Sequence, residues 1–547
     1  MLDSKRWKEK FISFFENKRN FYIVLLAAML LKNFPFGFRY FLFADDYNQY
    51  GVYALWKENL WHNVITRYSL YGYRPLAGIT DVYFISRLWG NLEFVLLIFV
   101  LLHFLTIYLL DSVFERSDIT WGRAAAIFFG FFPAMTESAY WISASSRIVT
   151  SAFFGASAVF AILEFIYKEG RYRVWLAAAM ICGLLAQGFY EQGAIFAFTL
   201  MIIILIVHRK AIRNKLIFAW PFINLAIIGA YYYIFRDVGL FSSRAEIAEN
   251  SFFANIPLMI NRIVTVFIKE QGPTVINSLR WGIGRLFAEH LPLAIIVAVF
   301  SVLLGFFICF DKLEIYREKE QNGFGKKAAY SLLAGIILTI CTLSLFFILD
   351  GAWVWVRNFF YAIIGLGILV EIAVLLIRIN RHKALGLGVK AVKTAFAVIA
   401  VFVFFCGFIL EVESLRLVEK YDDLIVSNLV AKVERMKLKD VKTIWLFGTQ
   451  WSYAAQINPR ITSQVRVDWA LNGHYTVTSG NRREQWIVPV MAGAAAKPDF
   501  ESDVLLGLDS ELNIRELKYD GYNLLFADTG AIFGSIDPEE NARFNIE

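Results

Sequence analysis

The stretch that decides the fold is TAFAVIAVFVFFCGFILE, residues 394–411. Its only charged side chain is Glu411 at the end, and it is long enough to cross a hydrocarbon core of about 30 Å as a helix. A helix is required there because lipid offers no hydrogen-bonding partner to backbone groups. Residues 415–439 are charged and amphipathic, so the end of the run marks a border between membrane and water.

Comparable apolar runs recur throughout the preceding chain. Together with the run just quoted they make about eleven candidate spans, which predicts a polytopic α-helical membrane protein. The runs lie at residues 21–38, 93–111, 121–137, 147–167, 174–188, 190–207, 216–235, 291–310, 328–349, 359–377 and 394–411.

Composition excludes a soluble chain, because 58% of the 547 residues are hydrophobic and only 18% are charged. The net charge of +7 does not indicate a nucleic-acid partner, since the basic residues fall in short clusters between apolar runs. The four cysteines each stand alone inside an apolar run, without metal-ligand spacing. We therefore expect membrane lipids as the solvent and no nucleic acid as a partner.

The distribution of basic residues predicts the orientation. Residues 1–20 are rich in Lys and Arg and are expected in the cytoplasm, most naturally at a bacterial plasma membrane. Residues 21–411 form the predicted transmembrane domain, with long outer loops at 39–92 and 236–290. The short basic connections on the cytoplasmic side are Lys168–Arg173, His208–Lys215, Asp311–Lys327 and Arg378–Lys393.

The tail, residues 412–547, is predicted to be a soluble extracytoplasmic domain. Its length falls in the usual domain range. Thr443–Phe447, Trp486–Val490 and Tyr522–Phe526 have the composition of strands, so an α/β or α+β fold is expected.

Two adjacent carboxylates, Asp45 and Asp46, follow the first predicted span. A carboxylate at the membrane surface can accept a proton from a hydroxyl nucleophile or bind a metal, and its surroundings tune its pKa. The alternative is an acidic turn that caps the next helix, because Asp is a favoured N-cap residue. A divalent cation is left open, since two carboxylates alone are weak evidence for one.

Further along the same loop stands Tyr73-Arg74-Pro75-Leu76. The Arg74 guanidinium is a fixed fork suited to phosphate or carboxylate, and a structural pairing with Asp45 or Asp46 is the alternative. Glu137, Trp141 and Arg147 follow around the predicted third and fourth spans. Ionisable groups at membrane depth are uncommon and usually face a protein cavity.

The order of these motifs resembles the membrane glycosyltransferases of the C-type (GT-C) fold over roughly residues 20–210. The motifs are the aspartate pair, Tyr-Arg-Pro-Leu, and Pro-x-x-x-Glu-x-x-x-Trp-Ile at residues 133–142. Among these enzymes the chain looks most like the protein O-mannosyltransferase and transmembrane-TPR mannosyltransferase group and the bacterial polytopic glucosyltransferases.

The resemblance implies an inverting transfer of a hexose or similar sugar from a polyprenyl-phosphate carrier. The acceptor would be a glycan, a lipid-linked glycan or a protein on the extracytoplasmic face. It assigns the base or acceptor-orienting role to Asp45 or Asp46, with Asp45 favoured because it comes first. It assigns Arg74 to the family's Arg-Pro arginine, Glu137 to its second acidic position, and Arg147 to the basic residue that follows.

A lipid phosphate leaving group needs mainly charge neutralisation, which makes outer-side basic residues further candidate ligands. Lys269, Arg280, Arg285 and Arg357 are such candidates, although contact with lipid headgroups is at least as good an explanation. Tyr73, Trp141 and Glu191 are expected to line the cavity, with a simple turn as the alternative for Glu191.

Two other functions compete with glycosyl transfer. A surface-polysaccharide polymerase or ligase would share an outer site and a lipid-linked substrate, but would more naturally use a pyrophosphate donor. A transporter or flippase of lipid-linked saccharides would favour paired broken helices or related halves, which the sequence does not show.

Overall fold

A computed structural model describes most of the chain and divides it into two compact units. Unit 1 comprises Met1–Arg39, Trp61–Thr80 and Glu93–Ile409, and unit 2 comprises Tyr40–Leu60, Asp81–Leu92 and Leu410–Glu547. The described residues are 2–55, 74–168, 173–212, 215–235, 252–277, 280, 283–310, 324–348, 356–379, 386–437, 443–454, 461–480, 486–537 and 543–546.

Unit 1 is built from apolar helices. Its longer helices are α1 Leu2–Glu16, α2 Lys18–Asn33, α3 Leu92–Arg116, α4 Arg123–Phe131, α5 Ile142–Tyr167, α6 Val174–Phe189, α7 Glu191–Val207, α8 Trp220–Phe235, α9 Phe252–Thr265, α10 Leu291–Cys309, α11 Phe324–Thr342, α12 Phe360–Ile379 and the first part of α13 Gly386–Met436. Short helices stand at Pro75–Thr80, Pro133–Met135, Thr136–Ala139, Lys215–Ala219, Val266–Gln271, Gly272–Asn277, Ile283–Glu289, Leu345–Ile348 and Val356–Phe359.

Within the described residues, five helical stretches are long and apolar enough to cross a membrane, which is consistent with an integral membrane protein. Four shorter apolar helices accompany them, so the predicted count of about eleven spans is not confirmed. The five long stretches are Pro75–Arg116, Ile142–Tyr167, Leu291–Cys309, Val356–Leu376 and Val392–Met436, and the shorter ones are Val174–Phe189, Glu191–Val207, Lys215–Tyr231 and Lys327–Thr342.

The predicted span at residues 121–137 is not one continuous helix. Helix α4 has only nine residues and ends at Phe131, and Phe132 has a ψ of 127°. The cause is Pro133, which disfavours helical geometry in the residue before it and cannot donate a backbone hydrogen bond. Two short helices, Pro133–Met135 and Thr136–Ala139, follow before α5 begins.

Two buried charges of unit 1 lie against α4, a helix whose residues are almost all buried. The Glu371 carboxylate accepts a hydrogen bond of 3.0 Å from the backbone N–H of Ala125, near the start of α4. The Lys32 ammonium donates to the carbonyl of Gly130, near its end, and lies 4.0 Å from the Phe408 ring centroid. Each charge therefore satisfies a backbone group that a helix end leaves without an intrahelical partner.

Unit 2 contains a seven-stranded mixed sheet in the order β2-β1-β3-β4-β5-β6-β7. Strand β1 pairs in parallel with β2 and β3, and the remaining pairs are antiparallel. The bounds are β1 Thr443–Phe447, β2 Trp486–Val490, β3 Val504–Leu508, β4 Ile514–Tyr519, β5 Asn523–Phe526, β6 Ile532–Asp537 and β7 Arg543–Ile546. The predicted strands at 443–447 and 486–490 are confirmed, and the third begins one residue later than predicted.

The sheet of unit 2 is covered by helices of the same unit. Helix α14, Asp468–Ser479, connects β1 to β2, and the end of α13 also packs on the sheet. Ile425 and Leu429 of α13 share a buried cluster with Ile444 of β1 and Leu471 of α14. Unit 2 also holds a five-residue π-helix, Tyr47–Gly51, and the short helix Val52–Leu55 that follows it.

Candidate functional site

The Arg74-Pro75-Leu76 motif is held against the end of α6 in unit 1. The Pro75–Thr80 helix packs on α6, with Leu76 against Gly188. A Cβ atom on Gly188 would lie 2.6 Å from Cδ1 of Leu76, so only glycine permits this approach. The contact places Arg74 beside the tight turn that joins α6 to α7.

The guanidinium group of Arg74 forms two hydrogen bonds with a carboxylate of that turn. Its Nε donates to Glu191 Oε2 at 2.7 Å and its Nη2 donates to Oε1 at 2.5 Å. The guanidinium carbon also lies 4.3 Å from the centroid of the Tyr190 ring. A bidentate ion pair combined with an aromatic face fixes the orientation of the arginine.

Arg357 makes a similar arrangement with a different helix end. Its Nη1 donates to Glu137 Oε1 at 3.0 Å, and its guanidinium carbon lies 5.4 Å from the Trp141 ring. Glu137 belongs to the short helix after Pro133, and Trp141 immediately precedes α5. The predicted cavity residues Glu137 and Trp141 are thus brought together by Arg357.

A hydrogen-bond chain joins the two arginines. Asn358, next to Arg357, donates through Nδ2 to the Tyr190 hydroxyl at 3.0 Å. Gln192 donates through Nε2 to the Asn358 carbonyl at 3.1 Å and to the Thr342 carbonyl at 3.0 Å. The α6–α7 turn and the start of α12 therefore form one framework.

A third arginine, Arg147, lies near the same turn. Tyr190 is 5% exposed, and the charges of Arg74, Arg357 and Arg147 act on its hydroxyl. We call these three arginines, with Glu137, Glu191, Tyr190 and Trp141, the arginine cluster. Guanidinium groups bind anions readily, so three of them in one cluster suit an anionic ligand.

The acidic pair lies in unit 2, in a turn formed by residues 43–46. The backbone N–H of Asp46 donates to the Phe43 carbonyl at 3.0 Å, and Ala44 has a φ of +42°, a left-handed conformation that L-residues rarely adopt. Such strain persists only where surrounding contacts enforce it.

The two aspartates of this turn differ in their surroundings. Asp46 is fully buried, and its Oδ2 accepts hydrogen bonds from the Tyr40 hydroxyl at 2.5 Å and the Phe43 N–H at 2.9 Å. Asp45 is half-buried. These contacts give Asp46 a structural role in the turn, which favours Asp45 as the member that meets a substrate.

The other predicted ligands lie on three short segments of the second predicted outer loop. Arg285 forms an ion pair of 3.0 Å with Glu289, four residues away in the Ile283–Glu289 helix. Lys269, in Val266–Gln271, and Arg280 are exposed. A phosphate-binding role for these three residues stays a prediction, and Tyr73 lies outside the described residues.

Sequence reasoning missed several residues that organise these sites. One feature of the sequence pointed to Asn358, namely its position next to the candidate ligand Arg357. No sequence feature pointed to Asp423 and His474, which contact Tyr47 next to the acidic turn, because they belong to the tail and are far from Tyr47 in the sequence.

Comparison with known proteins gives no family assignment: no family model, curated protein or solved structure matches this chain. The functional interpretation therefore depends on the site geometry described above.

Proposed function

We propose that this protein is a membrane glycosyltransferase that moves a sugar from a polyprenyl-phosphate carrier to a hydroxyl acceptor. The acceptor is a glycan, a lipid-linked glycan or a protein. The observation that carries the proposal is the arginine cluster, in the unit that holds most of the apolar helices.

The cluster supports a phosphate ligand for two reasons. The guanidinium groups of Arg74 and Arg357 are oriented by carboxylates and aromatic rings, so little side-chain entropy is lost when an anion binds. Arg147 adds a third guanidinium group, and guanidinium groups suit the negative charge of a phosphodiester. Apolar helices in the same unit suit a carrier with a long hydrocarbon chain.

The proposed reaction follows from the chemistry of this donor, and the motif resemblance assigns its general base to Asp45. The acceptor oxygen attacks the anomeric carbon from the face opposite the phosphate, and the bond between that carbon and the phosphate oxygen breaks. The bonding electrons move onto the phosphate, whose charge the arginines neutralise. Asp45 acts as general base and takes the proton of the acceptor hydroxyl. The transferred sugar has the inverted configuration at its anomeric carbon.

The proposal includes a topology. The excess of Lys and Arg in residues 1–20 and in the short basic connections supports a cytoplasmic position for these segments. Residues 39–92, 236–290 and 412–547 then lie on the extracytoplasmic side, and about eleven helices cross the bilayer.

A donor panel tests the proposed activity. Purified protein in liposomes is incubated with labelled sugars on polyprenyl phosphate and on polyprenyl diphosphate, with glycan and lipid-linked acceptors. We expect transfer from a monophosphate donor. Transfer from diphosphate donors alone would overturn the proposal in favour of a polymerase or ligase, and ATP-independent movement of intact donor without cleavage would overturn it in favour of a flippase.

A further inference from the structure

The acidic turn belongs to the same compact unit as the C-terminal domain. Residues 40–60 group with 410–547 although more than 350 positions separate them in sequence. On one side of the turn, the Leu42 N–H donates to Glu419 Oε1 at 2.9 Å, and the Leu42 carbonyl accepts from Gln464 Nε2 at 3.2 Å. Both backbone groups of Leu42 are therefore held by side chains of the C-terminal region.

The other side of the turn is held by a network of three side chains, in which Tyr47 and His474 are buried and Asp423 is half-exposed. The Tyr47 hydroxyl donates to Asp423 Oδ1 at 3.0 Å, and His474 Nε2 lies 3.0 Å from the same oxygen. The Tyr47 and His474 rings stack with centroids 3.9 Å apart and planes 20° apart. Both side chains are at most 3% exposed.

Asn48 adds a third attachment, since its Nδ2 donates to the carbonyl of Trp469 in α14. Residues 42, 47 and 48 are thus all fixed by α13, α14 or the segment between β1 and α14. The turn itself has little regular structure, with a left-handed Ala44 and a π-helix after Asp46. These long-range contacts, together with the local hydrogen bonds of Asp46, hold the backbone on both sides of Asp45.

We infer that the C-terminal domain orients the proposed general base, and that His474 is a positioning residue acting on Asp45 through Asp423 and Tyr47. This inference rests on the proposed function. It gives residues 412–547 a part in the reaction itself, whereas a domain that only binds an acceptor would leave the chemical step untouched.

The chemistry of His474 defines a matched pair of substitutions. Because Nε2 faces a carboxylate, we assign the proton to Nε2, and Nδ1 makes no hydrogen bond within the described chain. His474→Gln retains an N–H donor toward Asp423. His474→Phe retains the ring stacked on Tyr47 but removes that donor.

The kinetic test uses the full chain in liposomes with a polyprenyl-phosphate sugar. His474→Phe and Tyr47→Phe are each expected to lower kcat about tenfold, as loss of one charge-assisted hydrogen bond would, and to leave the donor KM nearly unchanged. His474→Gln should recover most of the lost kcat. Tyr519→Phe is the control, since its hydroxyl bonds the Gly521 carbonyl elsewhere in unit 2.

Hydrogen exchange gives a second readout that does not need activity. Amides of residues 42–51 should exchange faster in His474→Phe than in the wild type and His474→Gln, while those of α5 stay unchanged. Unchanged exchange, or an undiminished kcat in His474→Phe while the wild type turns over, would overturn the positioning role alone. A wild-type protein that cleaves no donor would overturn the proposed function and, with it, the catalytic role of His474.

Discussion

The arginine cluster and the acidic turn are assembled in opposite ways. In the cluster, two of the arginines have partners that are themselves candidate functional residues: Arg74 with Glu191, and Arg357 with Glu137. In the turn, the candidate base is one residue of a strained loop whose geometry depends on hydrogen bonds from distant side chains. Substitutions in the cluster should therefore act mainly on donor binding, whereas substitutions around the turn should act mainly on the chemical step.

The largest effect is expected at the acidic pair. Asp45→Asn removes the proposed base and should lower kcat about 10²–10⁴-fold without loss of thermal stability. Asp46→Asn keeps an oxygen that can accept from Tyr40 and Phe43, so it should retain far more activity. Turnover and Tm of both variants check this, with Asp520→Asn in an exposed turn as the control. Equal activity of wild type and Asp45→Asn would remove the assignment.

The next effect is expected at the arginine forks. Arg74→Lys and Arg357→Lys keep the charge but lose the planar donor geometry, so we expect the donor KM to rise about tenfold or more, with kcat less affected. Arg116→Lys is a matched control, because Arg116 also pairs with a glutamate, Glu164, in unit 1. Donor-concentration series provide the measurement, and a KM rise equal to that of the control would contradict a phosphate-binding role.

A smaller effect should follow from Gly188→Ala. The added methyl would meet Leu76, and a strained repacking costs about 1–3 kcal/mol. Arg74 would shift with Leu76, so both Tm and donor affinity should fall. Gly229→Ala, in α8 with open space around its Cβ position, should leave both unchanged. If both glycine variants behave alike, the close packing of Leu76 on Gly188 does not position Arg74.

The smallest effect concerns pH. Burial lowers the pKa of His474, and its contact with Asp423 only partly offsets this. The unfolded chain, with a histidine pKa of about 6.5, therefore binds the proton first as the pH falls. The contribution of neutral His474 to the free energy of unfolding is therefore complete well above that pKa and decreases as the pH falls below it. Tm measured at pH 7.5 and 5.5 should drop more in the wild type than in His474→Gln, and equal drops would contradict this account.

The sequence predicted the residues of the cluster better than the frame around the turn. Local motifs predict Arg74, Glu137, Glu191 and Arg357 as site residues, and the structure brings these four into two ion pairs. Trp141, also predicted, lies beside Arg357. Strands at 443–447 and 486–490 followed from β-branched and aromatic composition. Site residues and strands can be predicted from local patterns because the chemistry and backbone preference of a side chain depend largely on its residue type.

Long-range organisation could not be predicted in the same way. Hydropathy marks residues 121–137 as one apolar run, yet Pro133 interrupts the helix, because a missing N–H outweighs apolar composition. Residues 42–48 look like a loop in the sequence because their support comes from Glu419, Asp423, Gln464 and His474. No periodicity in the sequence indicates that the acidic turn contacts the C-terminal region.

The most direct test of the central claim is equilibrium binding of a polyprenyl phosphate and of the corresponding uncharged polyprenol to the purified protein. We predict that the phosphate binds far more tightly than the alcohol, and that Arg74→Gln and Arg357→Gln abolish this difference while Arg116→Gln preserves it. Equal affinity for both lipids in the wild type, or a preference that survives the first two substitutions, would contradict the claim that the arginine cluster holds a lipid phosphate.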